Sequence, residues 1–192
     1  MIDSNIVYMN QKRINIEYEI MLKLIRRKTH GRELSKELRM PLTTIQRALK
    51  QMIDANLIEF EVSGKNKIFT IKKNILAKKF VYNAENYKLM KLIDKYPFFE
   101  PLISDILKES KNNIMLLFGS YARFDAVKQS DIDLYVETKS KDVKKKLEMI
   151  NSKLNVKIGL FDLDSLLVKE TIKNHVILGG VEEFYEKIRF FE

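Results

Sequence analysis

The sequence predicts an α+β chain of two domains: three helices and a β-hairpin first, then a small mixed sheet flanked by helices. Three observations lead there. Residues 1–80 carry 17 Lys and Arg against 8 Asp and Glu, while residues 81–192 carry 18 of each, so the whole net charge of +9 lies in the first eighty residues. The hydrophobic spacing changes from helical to alternating after Asn56. An apolar run at 114–118 ends on Gly-Ser and is followed, at 131–136, by the alternating strand Asp-Ile-Asp-Leu-Tyr-Val. The boundaries read as 1–75 for the basic domain, 76–100 for a helical connector and 101–192 for the second domain.

Composition bounds the functional classes. With 45% apolar and 32% charged residues over 192 positions, the chain is globular rather than disordered. No apolar run approaches the ~20 residues of a membrane span, so no membrane role is expected. The start MIDSNIVYMNQKR has neither a basic n-region nor an apolar h-region, and no signal peptide is read there. The absence of cysteine excludes disulfides and thiolate metal sites and fits a cytoplasmic protein.

In the first domain, Ile14, Ile20, Met21, Leu24 and Ile25 make a helical stripe over 14–28. Gly31 breaks it. A second helix spans 32–38 with Leu34 and Leu38 one turn apart. Pro41 suits the first turn of a third helix, 42–55, whose inner face is Leu42, Ile45, Leu49, Met52 and Ile53. Two alternating segments, 57–62 and 67–71, flank Ser-Gly-Lys-Asn and read as a β-hairpin. Three helices and a basic-tipped hairpin, with phrases such as TTIQRALKQMIDANLIE, resemble the winged helix-turn-helix family over roughly residues 14–72. The resemblance implies that helix 42–55 enters the major groove of duplex DNA with Thr43, Thr44, Gln46, Arg47 and Lys50 outward. Arg47 suits guanine and Gln46 adenine. Lys65 and Lys67 on the hairpin meet phosphates.

Residues 73–112 read as helical, broken by Pro97 and Pro101, with Phe98 and Phe99 as anchors. The lysine-rich 141–146 reads as the exposed side of a helix.

The second domain carries the chemistry. The strand 114–118 runs into Gly119-Ser120, a short helix is expected over 121–127, and Ser130 precedes the second strand. A period of two puts Asp131 and Asp133 on one face, with Ile132 and Leu134 on the other. Two carboxylates on one side repel unless a cation lies between them. Oxygen-only ligands suit Mg²⁺ or Mn²⁺. Gly119 lets backbone approach a ligand, and the amides after it, with the Ser120 hydroxyl, can hold phosphate oxygens. Arg123, one turn beyond Ser120, either supports phosphate or locks the loop by an ion pair. This is a plausible site for ATP or another nucleoside triphosphate.

The pattern Gly119-Ser120, Ala122-Arg123, Ser130-Asp131-Ile132-Asp133-Leu134 resembles the nucleotidyltransferase superfamily of DNA polymerase β and the kanamycin nucleotidyltransferases, over residues 100 to 190. It is most similar to the minimal nucleotidyltransferases. The resemblance implies a nucleotidyltransferase fold, two metals on the paired aspartates, and transfer of a nucleoside monophosphate, AMP first among them, to a hydroxyl acceptor with release of pyrophosphate. It also implies a third carboxylate on a later strand. Setting Asp162-Leu163-Asp164 on the family's segment places that carboxylate at Gly159, which has no side chain; Asp162 and Asp164 have the wrong strand parity. Asp164 is expected to cap the following helix, and Val156, Ile158 and Leu160 to be the buried face of strand 155–161. An active transferase and a regulator that binds nucleotide without transfer therefore both stand. The minimal group further implies a HEPN-type helical partner in a toxin–antitoxin pair, and a homodimer is the expected assembly. His175, lone and without a placed partner, reads as structural.

Overall fold

A computed structural model describes residues 15–110 and 113–192. It divides into two compact units, the first ending at Ala84 and the second Glu85–Glu192. Ile14 and the remaining residues up to 14 lie outside the described residues, as do 111 and 112.

The first unit is built on α1 (Ile16–Leu24), β1 (Thr29–His30), α2 (Gly31–Leu38), α3 (Leu42–Asp54), β2 (Ile58–Ser63) and β3 (Asn66–Ile71). The Asn15 side chain caps α1 by accepting from Tyr18 N at 3.2 Å. His30 does the same for α2, its Nδ1 accepting from Glu33 N at 3.1 Å. Arg39, with φ of 53°, ends α2 in the left-handed region and turns the chain toward α3. Pro41 is the N-cap of α3, one position ahead of the expected first turn. Ile45, Ala48, Leu49 and Met52 on α3 are buried, as are Ile20 and Met21 of α1 and Leu34 of α2. The hairpin pairs β2 with β3 antiparallel around Gly64, whose φ of +59° suits a glycine. The two-residue β1, which hydrophobic spacing does not reveal, adds to β3 and gives the order β1-β3-β2.

α4 (Ile75–Lys95) crosses from the first unit into the second. α5 (Phe99–Glu109) follows, with Pro97 between them. Pro101 does not break the chain: it lies in the first turn of α5, where its missing N–H needs no partner. Phe99 is fully buried, while Phe98 is 44% exposed.

The second unit centres on a four-stranded mixed sheet in the order β6-β5-β4-β7. Its strands are β4 (Met115–Phe118), β5 (Ile132–Glu137), β6 (Leu154–Gly159) and β7 (Val176–Gly179). β5 is antiparallel to β4 and parallel to β6. The crossover between β5 and β6 is α7 (Lys141–Ile150), capped by Ser140, whose Oγ accepts from Val143 N at 3.3 Å. One face of the sheet, with Leu117, Ile132, Leu134, Val136 and Val156, packs on Phe99, Leu102, Ile106 and Leu147 from α5 and α7. Beyond β6 come α8 (Leu166–Lys173) and α9 (Val181–Lys187). β6 stops at Gly159, so the parity expected through 161 reverses: Leu160 is 59% exposed and Phe161 is buried. Among the described residues no helix is long and apolar enough to cross a membrane.

Candidate functional site

β4 delivers the chain directly into α6 (Gly119–Arg123), two residues earlier than the spacing implies, and α6 ends by 123 rather than 127. Phe124, with φ of 63°, terminates it; the N–H groups of Phe124 and Asp125 return to the carbonyls of Tyr121 and Ser120 at 3.0 and 3.1 Å. Residues 124–131 are therefore a loop. That loop is held on both sides. The Ser130 hydroxyl oxygen accepts from Val127 N at 2.9 Å. Lys153, just before β6, accepts from Ile132 N at 2.8 Å through its carbonyl and donates from Nζ to the Lys128 carbonyl at 2.6 Å.

Asp133 is the structural centre of the site. It pairs with Phe118 of β4 and with Asn155 of β6. Its half-buried carboxylate leans over Gly119. Gly119 has φ of +72°, and a Cβ there would lie 2.4 Å from Asp133 Oδ2 and 3.3 Å from Cγ. Only glycine lets the turn and the carboxylate occupy this space. Asp133 Oδ1 is taken by a different neighbour, accepting from Asn155 Nδ2 at 2.9 Å. Asp131 is exposed just ahead of β5, and Ser120 is half-buried in α6. Arg123 is exposed and its Nε donates to Asp125 Oδ2 at 3.1 Å.

The parallel register of β5 and β6 sets Asn155, not Gly159, beside Asp133. Asp133 faces Asn155, Tyr135 faces Lys157 and Glu137 faces Gly159. Gly159 thus lies four residues along β6 from the neighbour of Asp133. The residue beside the aspartate is Asn155, which spacing alone did not single out. Asp162 and Asp164 lie past the strand end. Asp162 Oδ1 accepts from Asp164 N at 2.9 Å, and Asp164 is 99% exposed and ion-paired with Lys169. Asp164 does not cap α8; the N-cap is Ser165. Glu137 is occupied too, accepting from Lys187 and from Phe161 N. Tyr135 donates to the Gly159 carbonyl at 3.2 Å, and burial, with Glu137 and Asp162 adding to it, pushes its hydroxyl up to about 12. It stays a neutral donor at any working pH. His175 is buried, its Nδ1 2.8 Å from the Ile172 carbonyl and its ring against Phe184.

Among the described residues no three His, Cys, Asp or Glu side chains converge to hold a metal. Asp131 and Asp133 carry carboxylate oxygens, the donor type a hard cation such as Mg²⁺ takes together with phosphate oxygens and water.

In the first unit, Thr43, Gln46, Arg47 and Lys50 are exposed on α3 and Thr44 is half-buried. Gln46 and Lys50 share a hollow of about 660 Å³ with Lys65 and Lys67 of the hairpin, and with Arg32 of α2, a cation the spacing did not single out. Lys67 Nζ lies 4.0 Å above the Phe60 ring. Thr43, Thr44 and Arg47 lie outside this hollow.

Three comparisons bear on the chain. The family described as Polymerase beta, Nucleotidyltransferase matches residues 102–184. A protein of Methanocaldococcus jannaschii described as "Putative protein adenylyltransferase" is 33% identical over 91 residues, 46% of this chain and 90% of the relative. The crystal structure of the adhesin competence repressor AdcR from Streptococcus pyogenes covers 50% of this chain and 77% of its own at 19% identity and a TM-score of 0.36, a likeness too slight to carry an argument.

Proposed function

This chain belongs to the polymerase beta nucleotidyltransferase family, and we propose that its second unit binds a nucleoside triphosphate, ATP first among them, with Mg²⁺ or Mn²⁺ on Asp131 and Asp133. The observation that carries the reading is the contact between Gly119 and Asp133. The turn has no side chain where a Cβ would sit 2.4 Å from Oδ2, so the main chain at Gly119 lies beside the carboxylate. Phosphate held there sits next to the cation the aspartates hold, and the cation neutralises phosphate charge. Arg123 is exposed beside the turn, and exchange of its Asp125 partner for phosphate would add positive charge there.

The test is equilibrium binding of ATP to the whole chain, with and without Mg²⁺. Micromolar or millimolar binding that chelation removes supports the reading; ATP affinity unchanged by removing all divalent cation sinks it. A second reading, transfer of AMP to a hydroxyl on a protein acceptor, is favoured by the description of the Methanocaldococcus relative. A HEPN-type partner is one candidate acceptor. Labelled AMP appearing on such a protein, and absent with Asp131→Asn, distinguishes transfer from binding alone.

For the first unit we propose a winged helix that binds duplex DNA. The support is the basic hollow joining α3 to the hairpin and the confinement of the net charge to residues 1–80. Binding is expected to weaken linearly in log–log salt dependence, and Lys50→Ala, Lys65→Ala and Lys67→Ala each to lower the slope by roughly one. A gel shift with no complex on any duplex at low salt would remove this part of the proposal.

A further inference from the structure

We infer that Asn155 restricts the aspartate site to one divalent cation per bound nucleotide. The inference rests on the nucleotide-binding reading above and concerns the same site.

It follows from what surrounds Asp133. An ionised carboxylate only accepts hydrogen bonds, so the amide of Asn155 must face it with its NH₂ end. At 2.9 Å that end lies against Oδ1. A second cation in a paired site lies ~3.5–4 Å from the first and needs a shared oxygen and ligands of its own. On the β6 side of Asp133 the shared oxygen already carries an N–H, and the approaching cation would meet positively polarised amide hydrogens. The next positions on that face of β6 are Lys157, an exposed ammonium, and Gly159, with no side chain. On the β4 side the paired residue is Phe118, which offers no oxygen from its side chain. Glu137, four residues along β5, is engaged by Lys187 and Phe161 N. Of the two aspartates assigned to metal in the reading above, Asp131 is the other, and it serves the first cation.

Replacing Asn155 by Asp changes one NH₂ to an oxygen at almost constant shape. It sets a carboxylate against Asp133 Oδ1, a pair that a cation stabilises.

The experiment uses the full chain with α,β-methylene-ATP, which cannot release pyrophosphate, titrated with Mn²⁺ and followed by calorimetry and electron paramagnetic resonance. Wild type is expected to take up one Mn²⁺ per chain with an isolated-ion spectrum. N155D is expected to take up two, with the spin-coupled broadening of ions within ~4 Å. Asn155→Ala, which removes the donor without adding a carboxylate, is expected to stay at one. Two Mn²⁺ in wild type overturns the inference while leaving nucleotide binding intact, and so does a folded N155D that remains at one. If N155D fails to fold, the wild-type count decides. Wild type that holds no nucleotide at any Mn²⁺ concentration overturns both this inference and the reading beneath it.

Discussion

Gly119→Ala is expected to weaken nucleotide binding severely. The glycine has φ of +72°, a region that costs an L-residue roughly 1–2 kcal/mol. The larger effect is steric. The new Cβ would lie 2.4 Å from Asp133 Oδ2, and Asp133 has little room to give way, since Asn155 holds Oδ1 and β4 and β6 flank its backbone. Either the carboxylate swings off the site or the turn lifts away from it, and both separate the cation from the phosphates. Affinity for ATP–Mg²⁺ should fall by about 100-fold or more, the upper end of what disturbing even an outer partner of a metal ligand costs. Calorimetry reads the affinity, and a thermal melt separates it from the backbone penalty. ATP bound by G119A as tightly as by wild type would falsify the cradle.

Asp133→Asn is the second large effect. It preserves shape but removes the charge that offsets the cation. It also places one amide beside another, so Asn155 loses a charge-assisted acceptor, a bond roughly twice as strong as a neutral one. Metal-dependent ATP affinity should drop by about 100-fold or more, by the same comparison with outer-shell partners, while salt-sensitive DNA binding by the first unit is unchanged. Asp131→Asn should weaken the same affinity with less effect on folding, because Asp131 is exposed and precedes the strand. A D133N chain that retains Mg²⁺-dependent binding removes Asp133 from the site.

How much of this was legible beforehand differs by residue. The strand expected at 131–136, observed at Ile132–Glu137 with Asp131 just ahead of it, is readable because burial on one face forces a period of two, and Ile132, Leu134 and Val136 are all buried as that period requires. Gly119 is readable because glycine before paired acids has few other uses. Asn155 is not, because a neutral amide carries no sequence signal and its role arises only when the parallel register sets it beside Asp133. The family resemblance, set on Asp162-Leu163-Asp164, implies Gly159 instead, since nothing local marks where β6 ends. The end shows only in the reversed burial of Leu160 and Phe161. The two-residue β1 escapes for a related reason: it is too short to have a period, and it exists because β3 offers it a partner.

Lys153 bears on the kinetics of ligand capture. Its carbonyl fixes the first amide of β5 and its ammonium fixes the Lys128 carbonyl, so one residue restrains both ends of the segment that presents Asp131. The conformational entropy of that segment is then lost during folding rather than on ligand arrival. If the proposed nucleotide and its cation bind here, association is expected to proceed at the rate of encounter with a preformed cation site, and differences in affinity between nucleotides to show in how fast they leave.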